Sequence, residues 1–409
     1  MSREREVSLQ DAMGYARLEA RRGRHDRAET VLRQVAAARP DYLPARVELS
    51  RVLQRMNRYG EAVSVLQRLT ARQPALGKLI FNMANAIRND GDVDTAITTF
   101  RRAVRLDPDS AEMHVGLGLA LLQTGAWEEG FAEYEWRRTR QEFEDGMRSA
   151  GRPLWDGGDV AGRTIVLLGE QGAGDAIHFV RYAALLADRG ATVKVNCHPP
   201  LRRLLASATG VHEIVERNLG AFDAADLMMS LPMRFGTRPD SVPAPIPYLR
   251  PPTDRPVRLP DTGRPRVGLV WAGNPAHVRD HWRTIGFAEL SPVLDVGGVD
   301  FYSLQKGAGA QADHSRVTSL GAALHDFADT AAIIDQLDLV IAVDTSVAHL
   351  TGALGKPLWL LLARNADWRW LRDREDTPWY PTARLFRQQR LGEWGDVVAR
   401  VAGELARLA

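Results

Sequence analysis

Leu339–Leu362 reads LVIAVDTSVAHLTGALGKPLWLLL. An apolar run ends in Asp344-Thr345-Ser346, a small-residue helix carries His349 one turn in, and Gly355 and Pro357 stop that helix before a second apolar run. This pattern predicts a β-α-β unit whose helix begins with hydroxyls. Such a helix end presents free backbone N–H groups and a partial positive charge, so it favours a phosphate. The stretch therefore calls for an α/β domain that takes a nucleotide or another phosphorylated ligand.

Strand and helix patterns alternate on both sides of it. Thr164–Gly169 reads as a strand and leads through Glu170-Gln171-Gly172-Ala173-Gly174-Asp175 into a helix over about Ala176–Asp188. A second strand is expected at Thr192–Asn196, and the alternation runs to about Pro232. Nine prolines fall in residues 239–265, which fits a stiff connector. Strands at Arg266–Trp271 and Phe301–Gln305, a helix near Asp326–Gln336 and a last helix over Trp394–Leu408 complete a second half. Such alternation implies parallel sheets flanked by helices, and two halves imply a ligand cleft between them.

The glycine loop is not a dinucleotide fingerprint. Gly172 and Gly174 supply the first two glycines of GxGxxG, but Ile177 stands where the third would allow close helix–strand packing. No Gly-Lys-Ser/Thr occurs, so a Walker A loop is absent as well.

The first third repeats itself. Pro40, Pro74 and Pro108 are spaced by 34 residues; Ala28, Ala62 and Ala96 share that step, as do Leu32, Leu66, Phe100 and Tyr134. Gly23, Asn57, Gly91 and Gly125 mark turns on the same period. This resembles the tetratricopeptide repeat, a 34-residue helix–turn–helix unit. Units are expected at 9–42, 43–76, 77–110 and 111–144. In the last of them Arg137 replaces an apolar or small residue (Val35, Leu69, Ala103). Stacked repeats commonly hold a peptide or protein in a concave groove, and a short array can instead prop up its neighbour.

Composition sets limits. The net charge of +2 gives no reason to expect nucleic acid or an acidic membrane as partner. One cysteine, Cys197, excludes an internal disulfide and a cysteine-based zinc site. No apolar run is long enough to span a membrane. The opening MSREREVSLQDA lacks an apolar core, so no signal peptide and a cytoplasmic protein are expected. Histidines 277 and 281 lack the spacing and acidic partner of a metal helix, so no metal is expected.

Gly174-Asp175-Ala-Ile-His178 resembles the N-terminal GD-x-x-H loop of the lipopolysaccharide heptosyltransferase superfamily, and Asp344-Thr345-Ser346-x-x-His349 resembles its D-T-x-x-x-H donor motif. Trp271-Ala-Gly-Asn274, Ser303-Leu-Gln-Lys306-Gly307, Asp367-Trp-Arg-Trp370 and Pro378-Trp-Tyr-Pro381 look like segments of bacterial proteins that join tetratricopeptide repeats to this domain. The layout is also similar to that of O-linked N-acetylglucosamine transferase. The resemblance implies an α-solenoid (1–144), a linker (145–163) and a GT-B glycosyltransferase of two Rossmann-like subdomains. These would be an acceptor side at 164–238, the connector at 239–265 and a donor side at 266–409. It implies inverting, metal-independent transfer from a nucleotide sugar, used as co-substrate with no bound cofactor, to a hydroxyl of a protein held by the repeats. A glycan or lipid-linked acceptor, and an inactive transferase domain serving as a repeat adaptor, are the alternatives.

The residues fit such chemistry. The leaving phosphate gathers negative charge that N–H groups and cations must stabilise. On the donor side the expected contacts are Gly172, Gly174, Asn274, Arg283, Gln305, Lys306, Asp344, Thr345, Ser346 and His349. Asp175 is the expected general base, its pKa held low by its helix-end position. His178, on the same helix, is the second acceptor-side residue, as a packing or orienting group more than as the base. Asp175 could also be only a helix cap, and His349 only a core histidine. The heptosyltransferases hold the donor phosphate with a lysine after the first strand of the second half, where this chain offers Arg279 and Arg283. That leaves UDP, GDP and ADP open. Trp368, Trp370, Trp379 and Tyr380 read equally as core or as sugar platforms.

Overall fold

The computed structural model describes residues 8–139, 154–216, 218–243, 245–253, 257–277, 279–307 and 314–408. The chain divides into two compact units, Met1–Thr124 with Ala132–Arg140, and Gly125–Phe131 with Gln141–Ala409. Positions 140–144 of the expected fourth repeat and 145–153 of the expected linker lie outside the described residues.

Helix pairs follow the 34-residue period: α1 (Leu9–Arg21) and α2 (His25–Ala38), α3 (Leu43–Arg55) and α4 (Tyr59–Arg72), α5 (Gly77–Asp90) and α6 (Val93–Leu106), α7 (Ala111–Thr124) and α8 (Trp127–Tyr134). The small-residue columns are the contact surfaces. Ala28, Ala62, Ala96 and Ala84 are fully buried, and Leu32, Leu66 and Phe100 fill the space between paired helices. Gly23, Asn57, Gly91 and Gly125 all have positive φ, the left-handed turn that ends each first helix. Gly116 faces Phe81 and Phe100, and a Cβ there would sit 2.8 Å from the Phe81 ring. Arg137 is buried, with its guanidinium on Glu135 and over the Tyr134 ring, so the odd residue of the period carries its own partners.

The second unit holds two parallel sheets. The first contains β1 (Thr164–Leu168), β2 (Thr192–Asn196), β3 (Glu213–Val215) and β4 (Ala224–Leu227), in the order β3-β2-β1-β4. Alongside it lie α9 (Ala173–Phe179) and α10 (Tyr182–Asp188). The second sheet contains β5 (Arg266–Val270), β6 (Asp300–Ser303), β7 (Val317–Ser319), β8 (Leu339–Val343), β9 (Leu358–Leu362) and β10 (Ala383–Arg387), in the order β10-β9-β8-β5-β6-β7. Around it pack α11 (Phe327–Ile334), α12 (Ser346–Ala353) and α13 (Gly395–Leu408). Strands β8 and β9 are buried throughout, which is why they read as unbroken apolar runs. The core of this half joins Val267, Leu269, Ile341, Val343 and Leu361 to Val397, Val401 and Leu405 of α13.

The order of the second sheet is that of a doubly wound α/β fold. Its first strand, β5, lies between β6 and β8, so the chain winds outward in both directions from there. In the first sheet β1 lies between β2 and β4 in the same way. Ligands of such sheets bind beyond the C-terminal strand ends at this switch point.

One expectation fails locally. The single helix expected at 176–188 is broken into α9 and α10. A continuous helix would offer the Ile177 and His178 carbonyls to the N–H groups four residues on. Instead Tyr248 Oη donates to Ile177 O (3.1 Å) and Arg181 Nε donates to His178 O (3.0 Å).

Candidate functional site

The site is built where the two switch points meet. After β1 the chain turns through Glu170, whose Oε1 accepts from Met229 N at 3.1 Å and so ties this loop to the end of β4. Gln171 takes a positive φ of 58°, and Gly172 caps α9. Asp175 Oδ2 accepts from Gly172 N at 2.8 Å. A side chain at Gly172 would meet that carboxylate at 3.3 Å, so the glycine leaves room for the cap. After β8, Thr345 caps α12, and its buried Oγ1 has no hydrogen-bond partner.

The two helix starts touch, so no open cleft separates them at this point. A Cβ on Gly174 would lie 3.5 Å from Ser346 Cα and 3.0 Å from the His349 ring. The second glycine thus serves helix-to-helix approach between the halves.

Both histidines belong to this packed contact. His178 is fully buried and His349 is 5% exposed. Their Nδ1 atoms are 3.4 Å apart, and His349 Nδ1 lies 3.0 Å from Tyr380 Oη. The His349 ring stacks on Trp370 and that of His178 meets Trp379 edge-on. Burial lowers both pKa values, His349 to about 3. Both imidazoles are therefore neutral and enclosed, at the place where α9 and α12 pack.

Asp175 is different, since a fifth of its side chain remains exposed. Arg369 Nη2 donates to its Oδ1 at 2.6 Å, and Arg369 Nη1 donates to Asp367 Oδ1 at 2.8 Å. The expectation of a low pKa is reversed. Burial pushes the Asp175 carboxyl above its ordinary value, while Arg369 and the Gly172 N–H pull against burial. Asp344, at the end of β8, is pushed up to about 6 by burial and by the neighbouring Asp367 charge. Burial opposes ionisation of Asp367 too, but Arg369 overcomes it and holds that carboxyl below its usual value. Carboxyls with pKa values driven apart suit acid–base work.

Four of the other expected donor residues make hydrogen bonds within the fold. Arg283 donates from Nε to Asp280 Oδ1 (3.0 Å) and from Nη1 to the Asp344 carbonyl (2.9 Å). Gln305 Oε1 accepts from Trp271 N and Ala272 N, and its Nε2 donates to Ala272 O, so it pins the end of β5. Lys306 Nζ donates to Leu324 O. Asn274 Oδ1 accepts from Ala276 N in an exposed turn. Arg283, Gln305 and Lys306 thus shape the strand ends, and Ser346 stands partly exposed at the first turn of α12. Among the described residues no group of three or more His, Cys, Asp or Glu could hold a metal ion.

The aromatics are core. Trp370, Trp379 and Tyr380 are fully buried and Trp368 nearly so. Gly352 of α12 faces the Tyr380 ring so closely that a Cβ would lie 2.4 Å from it. Sequence reasoning gave no role to two arginines. Arg369 lies over the Phe179 and Trp368 rings as it bridges Asp175 and Asp367. Arg181, 2% exposed, donates to Trp379 O (3.1 Å) and Tyr248 Oη (3.1 Å) and sits over the Tyr248, Trp379 and Tyr380 rings. A charge inside the apolar run Ile177–Leu186 was the available signal for Arg181.

Asp344 makes a pH prediction. Its proton is held more tightly in the folded chain, so its stabilising contribution is complete below about pH 4 and is lost as pH rises through about 6. Asp344→Asn should therefore raise stability at pH 7 by up to about 3 kcal/mol and change little at pH 4. Urea midpoints at the two pH values measure this.

Residues 19–77 and 81–136 each match a tetratricopeptide repeat family, so the N-terminal region is a helical repeat solenoid. The protein FlbA of Caulobacter vibrioides is 25% identical over an alignment of 455 residues that covers 91% of this chain and 74% of that one. Among solved structures, MamA 41-end from Desulfovibrio magneticus RS-1 is 24% identical with a TM-score of 0.30, covering 35% of this chain and 80% of its own. The MamA RS-1 ArsTM double mutant gives 23%, 0.31, 36% and 81%.

Proposed function

We propose that the α/β region is a GT-B glycosyltransferase that moves a sugar from a nucleotide donor to a hydroxyl of a protein recruited by the repeats. The observation that carries this reading is the meeting of the two switch points. Asp175 stands at one helix start, and Thr345 and Ser346 stand at the other. Each sheet alone would suit a nucleotide; two facing ones suit a transfer between two substrates.

In this reaction the acceptor oxygen attacks the sugar carbon and gives its proton to Asp175. The bond from that carbon to the phosphate oxygen breaks, and its electron pair leaves with the nucleoside diphosphate. The N–H groups at the start of α12 and the Thr345 hydroxyl face the charge that develops there. Arg283 holds the Asp344 carbonyl and so shapes that end. Independence of metal rests on the family resemblance. Recruitment by the repeats is supported by the tetratricopeptide matches. No helix among the described residues is long and apolar enough to cross a membrane.

The test is release of UDP, GDP or ADP from the common nucleotide sugars by the full chain, with cell extract as acceptor source. Release from one donor supports the reading, and none from any donor defeats it. A second reading, a repeat adaptor with a silent transferase fold, is favoured by the direct α9–α12 contact.

A further inference from the structure

We propose that Arg369 is the positioning residue for the base: it fixes the Asp175 carboxylate in one orientation and keeps it ionised in a largely dry site. This rests on the glycosyltransferase reading and extends it to a residue outside the two helix-start motifs, in the Asp367-Trp-Arg-Trp370 segment.

The geometry is specific. Asp175 Oδ2 is fixed by Gly172 N at 2.8 Å and Oδ1 by Arg369 Nη2 at 2.6 Å, so both oxygens are held from different directions. Arg369 is in turn held by Asp367, which accepts from Nη1 at 2.8 Å and from the Arg369 backbone N at 3.1 Å. Its guanidinium lies over Trp368 (4.6 Å) and Phe179 (5.2 Å). The side chain is 7% exposed, so the pair is shielded from water on most sides. A planar donor fork held in this way offers orientation as well as charge. The arrangement crosses the halves, since Asp175 follows the first sheet and Arg369 and Asp367 follow β9 of the second.

Other groups also bear on Asp175. Asp367 opposes its charge and His277, from the loop after β5, favours it. Asp344, from the end of β8, faces Asp367, Arg283 and Arg369. His178 and His349, on α9 and α12, are buried and neutral. Among these Arg369 makes the direct contact, so its removal dominates. Without it the carboxyl keeps its burial and its Gly172 bond but loses its cation, and its proton affinity rises.

The experiment follows the Asp175 carboxyl directly. Full-length chain is made with aspartate labelled with carbon-13 at the carboxyl, and the Asp175 signal is identified by its loss in Asp175→Asn. In Arg369→Gln its titration midpoint should rise by about 1–3 pH units. Arg369→Lys, which keeps charge but loses the fork, should return part of the shift. Asp367→Asn removes an opposing charge while its amide oxygen can still accept from Arg369 Nη1 and N, and should lower the midpoint. The acid limb of sugar transfer should move with each midpoint. An Asp175 signal that stays put in Arg369→Gln overturns the proposal. If that variant does not fold, a midpoint that fails to fall in Asp367→Asn overturns it. Shifted midpoints with an unshifted acid limb reduce Arg369 to a structural ion pair. The titrations need no nucleotide, so a chain that binds none of UDP, GDP and ADP defeats the glycosyltransferase reading itself, independently of the pairing.

Discussion

Asp175→Asn should slow sugar transfer by about 10²–10⁴-fold, the usual worth of a positioned general base, while nucleotide affinity changes little. The expectation follows from where the residue sits. Its side chain is a fifth exposed, at the start of α9, and the neighbouring Gly174 packs against the start of α12. An asparagine can still accept one hydrogen bond, from Gly172 or from Arg369, but cannot take a proton from an acceptor hydroxyl. Asp175→Glu separates charge from placement: it keeps the acid and moves it by one methylene, so it should recover only part of the rate. Initial rates of nucleoside diphosphate release, with affinity measured separately, check both variants. A fully active Asp175→Asn chain would leave the residue a helix cap tied to Arg369.

The second large effect is on stability. Trp379→Ala should cost about 3–5 kcal/mol, the range for removing a large buried aromatic. Trp379 has no exposed surface. Its ring meets His178 at 4.3 Å, stacks on Trp127 at 4.9 Å and meets Trp368 at 6.1 Å. The Arg181 guanidinium lies over its ring at 5.2 Å, so the truncation also removes packing from that buried charge. Trp379→Phe should cost less, because the indole Nε1 is buried without a partner and its loss breaks no hydrogen bond. Urea unfolding of the two variants gives the comparison. A sugar platform would behave in the opposite way: substrate affinity would fall in Trp379→Ala and the unfolding midpoint would stay.

The repeats were legible because their physics is periodic. A helix pair that must pack against the next needs a small residue and a turn at a fixed interval, and Ala28, Ala62 and Ala96 recur at that interval. The sheets were legible because strands buried on both faces leave apolar runs, as at Leu339–Val343. Both candidate loops were found at strand ends, where a parallel sheet puts its ligands. The partnerships within the site were not legible. Asp175 and Arg369 are 194 positions apart, and His178 and His349 are 171 apart, so no spacing rule joins them. Arg283 and Lys306 looked like phosphate ligands because arginine and lysine suit phosphate, yet both donate to backbone carbonyls. Asp175 was expected to be a weak base because a helix start favours its charge. Burial outweighs that effect and makes it a stronger one. The broken helix at Val180–Arg181 escaped notice because one of the groups that break it, Tyr248 Oη, reaches Ile177 O through the tertiary fold, while Arg181 Nε takes the His178 carbonyl locally.

Calorimetric titration of the full chain with UDP, GDP and ADP is the most direct measurement of the central claim. A site formed where the two switch points meet, with the start of α12 and the Thr345 hydroxyl at its centre, should bind one of the three more tightly than the others. Thr345→Val should weaken that binding and leave the unfolding midpoint almost unchanged. Absence of heat with all three nucleotides, from a chain with native circular dichroism, would contradict the account.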